Sequence, residues 1–551
     1  MRDVIYKHAL LNAVEYGGKA EVKAVIGKVL AEEPSLKSDI SQVVAEVKKI
    51  VDDVNSQTLE EQRNLLGKLG VRLEEKKIVE TGLPELPNAK GKVVMRLAPY
   101  PSGPLHIGNA RMAILNDEYV KRYKGRLLLV FDDTIGSEEK FIIPEAYKMI
   151  TDDLKWLGVK YHKIVYKSDR IKIFYKLAED LIKKNIAYVC ECDAKTLRDN
   201  RANGVVCKHR EQTSERNTEK WKKMLNGRYK EGKVTLRLKT DMQHPNPAFR
   251  DRVLFRVAER RHPRVGKRYK VWPMLEFSWA VDDHMLGVTH ILRGKDLVIE
   301  DMMEEFIWNA MGWNKPEILH YGILNLEGVR LSKTESRKLI ERKVYSGWDD
   351  ARTWSLKSLE KRGVQPHAIR NFIINMGLSL ADVKMPVEIL YADNRKLIDS
   401  KANRYFAVLN PVKISVKNSK PRTVEAQLHP DFPGRGRRRI HVDTNAIYVE
   451  EEDYRNFKGR EVGFMNLFSA KLDKNSVVTS ENVKYDIQKI HWVSGPNAKI
   501  KVVMPDGKVV KGVAEPSIKK LKVGSLVQFP RIGFARVNKQ GRETVLYFTH
   551  K

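Results

Sequence analysis

At 551 residues, 42% of them hydrophobic and 31% charged, the chain is long enough for three to five domains with cores of their own, and no stretch approaches the roughly 18–20 unbroken apolar residues that a membrane span needs. Lysine and arginine number 101 against 70 acidic residues, a formal charge of +31, which favours a polyanionic partner because basic side chains release counterions from a phosphate backbone; the plain alternative is a solvated, salt- or heat-adapted surface. Three cysteines exclude a disulfide framework, and MRDVIYKHALLNAVEYGGKA lacks the charged, apolar, small-residue order of an export signal, so a reducing cytoplasm is the expected location.

Residues 1 to about 88 read as a helical extension, with Leu59, Leu65, Leu66 and Leu69 at helical spacing. The run Gly82-Leu83-Pro84-Glu85-Leu86-Pro87 breaks helix and marks a linker. KVVMRLAP then predicts a strand, Ser102-Gly103-Pro104 a turn, HIGNARMAILNDEYVKRY a helix and RLLLVFDD a second strand. PEAYKMITDDLKWLG predicts a helix with Pro144 in its first turn. Strand and helix in alternation argue for a parallel sheet with helices on its faces, which binds nucleotides at the carboxyl ends of its strands. Residues 187–270 read as an insertion, and the alternation is expected to resume at VWPMLEF. Residues 300–410 read as mainly helical, with Trp308, Trp313, Trp348 and Trp354 as core or interface aromatics. Beyond about 411, alternating runs such as RIHVDTNAIYVE predict one or two barrels.

Two segments carry the chemistry. Arg96-Leu97-Ala98-Pro99-Tyr100-Pro101-Ser102-Gly103-Pro104-Leu105-His106-Ile107-Gly108-Asn109 sits between a strand and a helix. Gly108 lets a ligand approach the backbone, the helix start offers unpaired N–H groups to a phosphate, and His106 can donate to a phosphoryl oxygen. Val329-Arg330-Leu331-Ser332-Lys333-Thr334 is a loop able to close over a triphosphate, with Lys333 neutralising charge that grows on the α-phosphate and pyrophosphate. Taken alone, HIG reads better as an ordinary strand-to-helix turn with a surface histidine, and a single SK pair is common in basic surface loops. A third group, Cys190-Glu191-Cys192 and, after fourteen intervening residues, Cys207-Lys208-His209, supplies four soft ligands, enough for a closed structural Zn²⁺ site; three thiols and a surface histidine are the bland reading.

Together the first two segments resemble the HIGH and KMSKS signatures of class I aminoacyl-tRNA synthetases. RLAPYPSGPLHIGNAR, FDDT, DDLKWLG, AVDDHMLGVTHILRGKD, GWDDARTWSLKSLEKRG and NRKLIDSKANRYF look like the glutamyl and glutaminyl subclass in its archaeal and eukaryotic form, over residues 90–551. The resemblance implies a multidomain fold: an N-terminal helical extension (1–88), an α/β Rossmann-like catalytic domain in two halves (89–186 and 271–340), a zinc-bearing insertion for the tRNA acceptor end (187–270), a helical stem-contact subdomain (341–410) and an all-β barrel anticodon-binding region (411–551). It implies a monomer that uses ATP with Mg²⁺ to join glutamate to tRNA(Glu), with tRNA(Gln) and a tRNA-dependent transamidase as a further option. His106, Gly108, Asn109, Arg330, Ser332 and Lys333 would bind ATP, with His106, Ser332 and Lys333 catalytic. Arg96 and Arg293 would reach the substrate's side chain, guanidinium forks being suited to a carboxylate, and Asp132 would hold its α-ammonium. Some relatives carry a CxC…CxH zinc site in the corresponding insertion, and in the family the barrels read the anticodon, where Arg435, Arg437, Arg438 and Arg439 could grip RNA phosphates or stack on bases; Trp492 and Tyr448 could stack on bases or pack in the core.

Three positions depart from the family pattern: Asn109 stands where the fourth signature residue is usually His, Val130 where an Arg commonly precedes FDDT, and Leu275 where many relatives place a tyrosine. A glutaminyl enzyme on the same scaffold is the nearest alternative, against which Arg293 argues. A non-catalytic RNA-binding relative rests on Asn109 alone, and a shortened paralogue that glutamylates a modified base would lack the C-terminal barrels.

Overall fold

The computed structural model describes residues 1–15, 18–69, 82–137, 141–420 and 422–551, in two compact units, Met1–Glu80 and Thr81–Lys551. In the first, apolar residues at three- and four-residue spacing build α1 (Arg2–Glu15), α2 (Val22–Glu32), α3 (Ile40–Ser56) and α4 (Leu59–Lys68). Val43, Val47, Ile50, Val51 and Val54 form the buried stripe of α3, packed on Ile5, Ala9 and Ala13 of α1. Thr58 starts α4 with a reciprocal cap: its hydroxyl accepts from Glu61 N–H, and the Glu61 carboxylate accepts from Thr58 N–H. The part of the expected extension over 70–81 lies outside the described residues, and 82–88 form no helix. The Gly82–Pro87 stretch belongs to the second unit, where Leu83 and Leu86 are buried in the core and the Tyr123 hydroxyl accepts from Leu86 N–H.

The second unit begins with β1 (Val94–Leu97), α5 (Ile107–Arg122), β2 (Arg126–Phe131), α6 (Ala146–Trp156), β3 (Lys163–Tyr166) and α7 (Ile171–Lys183). Strands β1, β2 and β3 pair in parallel, as the alternation predicts. Helix α6 starts at Ala146, so Pro144 precedes the helix instead of sitting in its first turn. Then come β4 (Ala187–Cys190), α8 (Ala194–Asn203), α9 (Ser214–Leu225), β5 (Thr235–Leu238), β6 (Val253–Val257) and β7 (Val271–Pro273), whose strands form an antiparallel sheet in sequential order. The VWP run is therefore the last strand of this sheet. The parallel alternation resumes later, after α10 (Leu275–Met285), at β8 (His290–Gly294), with α11 (Val298–Met311) and β9 (Glu317–Tyr321) following. A short apolar run reads the same in either kind of sheet, so periodicity alone could not separate them. Strand β8 is tied to β1 through Thr289, whose N–H donates to the Val94 carbonyl and whose hydroxyl accepts from Val94 N–H.

The chain continues through β10 (Leu324–Leu326), α12 (Lys333–Glu341), α13 (Leu356–Arg362), α14 (Pro366–Met376), β11 (Val383–Met385) and α15 (Val387–Ile398). Trp308 and Trp354 are buried, and the Trp308 indole donates to the Ala280 carbonyl. Trp313 stacks on His284 with centroids 4.1 Å apart. Beyond residue 402, the described residues form two seven-stranded sheets with separate apolar cores and a two-stranded ribbon, Arg422–Gln427 against Arg437–Val442. Trp492 is core: fully buried, with its indole N–H on the Met465 carbonyl. Among the described residues, no helix is long and apolar enough to cross a membrane.

Candidate active site

The first signature segment lies where a strand-to-helix turn leaves backbone donors exposed. His106 caps α5: its Nδ1 accepts from Asn109 N–H, while Asn109 Oδ1 accepts from His106 N–H. Asparagine at 109 therefore has a structural job that histidine would do differently, closing the first turn reciprocally. Because Nδ1 accepts, the ring proton sits on Nε2. Burial and the nearby Lys333 ammonium push the ring down to about 3, so His106 is a neutral donor across the physiological range. A Cβ on Gly108 would press on the His106 ring and touch Leu331, which brings the two signature segments into contact.

The second segment opens α12 in the same manner. Ser332 is its N-cap, its hydroxyl accepting from Glu335 N–H at 3.2 Å. Lys333 is the first residue of the helix; burial pulls its ammonium down to about 8, against the opposing pull of Asp153. The Asp153 carboxylate accepts from Leu105 N–H at 2.7 Å, and burial raises it to about 7. Arg330 is exposed and pairs with Glu335 at 2.7 Å.

A cavity of about 370 Å³ joins the carboxyl ends of β1 and β8 to the start of α5; Arg96, His106, Gly108, Asn109, Trp279 and Arg293 are among its lining residues. Arg330 and Ser332 line a separate recess of about 250 Å³ with Tyr345, Arg352 and Asp506. Of the arginines that line the larger cavity, Arg96 and Arg293 are buried and carboxylate-paired, while Arg111 donates to the carbonyls of Gly322 and Gly377. Asp283 takes the Nε and Nη2 of Arg96, each at 2.8 Å. Glu304 takes Nη1 and Nη2 of Arg293 at 2.8 and 3.1 Å, and Asp301 also pairs with Arg293. Breaking such a buried pair costs about 3–5 kcal/mol. Asp132 is buried, with Lys167 Nζ 3.1 Å away; Lys167, itself fully buried, donates to the Ser278 hydroxyl. The Trp279 ring carries Arg96, Arg293 and Lys167 at 4.9, 5.2 and 5.3 Å from its centroid. Sequence reasoning missed Lys167, Trp279, Asp283 and Glu304; a buried arginine needs an acid, but nothing local says which one. Val130 is packed in the core on the sheet, and Leu275, half-buried, opens α10 outside the cavity lining.

In the insertion, Cys190 Sγ stands 3.7 Å from Cys207 Sγ, and His209 Nδ1 lies 3.5–3.8 Å from all three sulfurs. A tetrahedron with bonds of about 2.0–2.3 Å has edges of roughly 3.3–3.8 Å, so this donor set fits a zinc ion. Glu191, held by Lys220 and Tyr229, faces His209 Nε2 at 3.9 Å, the kind of outer carboxylate that orients a ligating imidazole. Of the arginine group in the C-terminal region, Arg438 is buried on Glu515 and Arg435 is bound to the carbonyls of Ser400 and Lys401. Arg437 and Arg439 face solvent across from Glu425.

A family model described as tRNA synthetases class I (E and Q), catalytic domain, matches residues 92–400, and two described as the anti-codon binding domain match 402–489 and 489–538. The chain is 42% identical over 550 residues to a glutamate–tRNA ligase of Methanocaldococcus jannaschii, covering 98% of each. It is 43% identical over 574 residues to that of Pyrococcus abyssi, covering 100% of this chain and 99% of the relative. It is 41% identical to that of Methanothermobacter thermautotrophicus across the whole of both. With two signature segments in contact beside a cavity lined by arginines, and with matches along nearly its full length, the chain belongs to the class I tRNA synthetases of the E and Q type.

Proposed function

We propose that this protein is a glutamate–tRNA ligase. The observation that carries the reading is one cavity that holds guanidiniums suited to a carboxylate at one end and a capped helix start suited to phosphate at the other. The glutamate α-carboxylate attacks the α-phosphorus of ATP; a carboxylate oxygen–phosphorus bond forms, the bond to the β-phosphate breaks, and pyrophosphate leaves. His106 Nε2–H and the Lys333 ammonium stabilise charge as it develops on the phosphates, while Ser332, Gly108, Asn109 and Arg330 shape the ATP site and Mg²⁺ accompanies the ATP. Arg96 and Arg293 hold the side-chain carboxylate and Asp132 the α-ammonium. The 2′-hydroxyl of the terminal tRNA ribose then attacks the activated carbonyl, its proton passes to solvent or the phosphate, and AMP leaves. No side chain becomes covalently attached; orientation supplies much of the rate.

The cysteine–histidine cluster staples the 187–270 insertion around Zn²⁺, and the insertion receives the acceptor end. The two C-terminal sheets act as barrels that read the anticodon, with Arg437 and Arg439 as the RNA-facing pair. The deciding experiment is charging of purified tRNA(Glu) and tRNA(Gln) with radiolabelled glutamate or glutamine. Glutamate on tRNA(Glu) alone establishes a discriminating ligase; glutamate on both establishes a relaxed one that hands its product to a transamidase. Glutamine charging, or no charging, defeats the assignment.

A further inference from the structure

Lysine is almost never fully buried unless it is paired, and Lys167 is fully buried. Its ammonium stands 3.1 Å from Oδ1 of Asp132 and donates to the Ser278 hydroxyl at 2.7 Å. That hydroxyl donates in turn to the Leu275 carbonyl at 3.0 Å, and Nζ lies 5.3 Å from the centroid of the Trp279 ring. An ammonium has three donors and no acceptor; a carboxylate, a hydroxyl and an aromatic face are enough to engage them, so the charge is held at one point. Asp132 is anchored from the other side. Its N–H donates to the Pro99 carbonyl at 3.2 Å, which ties the residue after β2 to the first signature segment. Lys167 stands on Oδ1, and Oδ2 has no donor among the described residues. The pair flanks the cavity, because Trp279 lines it and Arg96 lies over the same indole.

A neutral side chain could fill this space and bond Ser278, so the positive charge is what lysine adds here. An isolated carboxylate in a dry site is costly and takes up a proton, and a carboxylic acid does not hold an ammonium. A carboxylate paired through one oxygen stays charged and keeps lone pairs on the other. The neighbouring cations are committed elsewhere: Arg96 to Asp283, Arg293 to Glu304 and Arg170 to Asp282. Among the described residues, Lys167 is the cation paired with Asp132. We propose that Lys167 is a positioning residue that supplies the counter-charge for Asp132 and fixes its side chain, so that Oδ2 meets the α-ammonium of the glutamate substrate. This rests on the assignment of Asp132 to that ammonium.

The test sets the KM and kcat for glutamate in tRNA charging beside the Ki of glutarate, a competitor with both carboxylates and no amino group, for the wild type, Lys167→Met, Lys167→Arg and Asp132→Asn. Lys167→Met should raise the glutamate KM about tenfold to a hundredfold, the worth of one hydrogen bond to a charged group, with kcat little changed and the glutarate Ki unaltered. Lys167→Arg, which keeps the cation, should recover most of the loss. A folded Lys167→Met with an unaltered glutamate KM overturns the proposal, and so does an equal rise in the glutarate Ki, which would mean that Lys167 only supports the fold of the site. If Asp132→Asn separates glutamate from glutarate while Lys167→Met does not, the Asp132 assignment stands and the Lys167 role falls. If Asp132→Asn changes neither constant, that assignment fails and the proposal with it; a wild type that charges no glutamate removes both. If Lys167→Met fails to fold, Lys167→Gln, which keeps an N–H for Ser278 and drops the charge, gives the same readout.

Discussion

Among the described residues Lys333 makes no ion pair, while Arg96, Lys167 and Arg293 each face a carboxylate; an ammonium held near His106 without a partner is charge kept for a ligand. Its burial brings it down to about 8. Because the charged form is the one below that value, kcat/KM for ATP should be level beneath pH 8 and fall about tenfold per unit above it. His106, at about 3, adds no limb between pH 5 and 8. Lys333→Arg, charged throughout, should abolish the alkaline limb; persistence of the limb in that variant would show that another group titrates. Lys333→Ala should cut adenylate formation by about 10²–10³, the usual worth of one preorganised charge-stabilising donor, with tRNA affinity retained in a filter-binding assay. Residues of this kind were legible because they sit in turns, where glycine, histidine and lysine have few structural reasons to gather. Asp283 and Glu304 were not legible as partners: Asp283 is 187 positions from Arg96, a separation bridged only by the sheet's topology.

Close approach of backbones decides what the connecting elements tolerate. Between β9 and β10, Gly322 donates its N–H to the Ser379 carbonyl and its own carbonyl accepts from Arg111. A Cβ there would run into the carbonyl oxygen of Ala381, so Gly322→Ala should destabilise the protein by about 1–3 kcal/mol, read as a lowered Tm; an unchanged Tm would mean that the loop yields freely. The insertion carries its own test. Purified protein should hold close to one zinc per chain by elemental analysis, and its removal by a chelator should loosen the antiparallel β4–β7 sheet in hydrogen exchange; metal-free protein with unchanged protection would refute the zinc assignment. Strand and helix types were readable from period and turn residues in most of the chain. The β7 strand was misassigned because three apolar residues carry no information about the direction of their partner.

Over the whole molecule, a net charge of +31 sets how the protein meets tRNA. Affinity should fall by about a thousandfold between roughly 50 and 200 mM salt if six or more phosphates are neutralised; a drop of less than tenfold in fluorescence titration would place most of the excess charge away from the RNA. The division into a catalytic and an anticodon-binding part was legible in the change from helix-rich to strand-rich patterning. The pairing order of the C-terminal strands was not, since short alternating runs fit many registers. One feature of the insertion reaches beyond its own sheet. Every cysteine in the chain belongs to the Cys190, Cys192, Cys207 and His209 cluster, so a thiol-specific reagent finds a single address in the protein. Damage there would be felt first by the insertion that the cluster holds together, and a thiol-reactive dye would report on that one place without any engineered label.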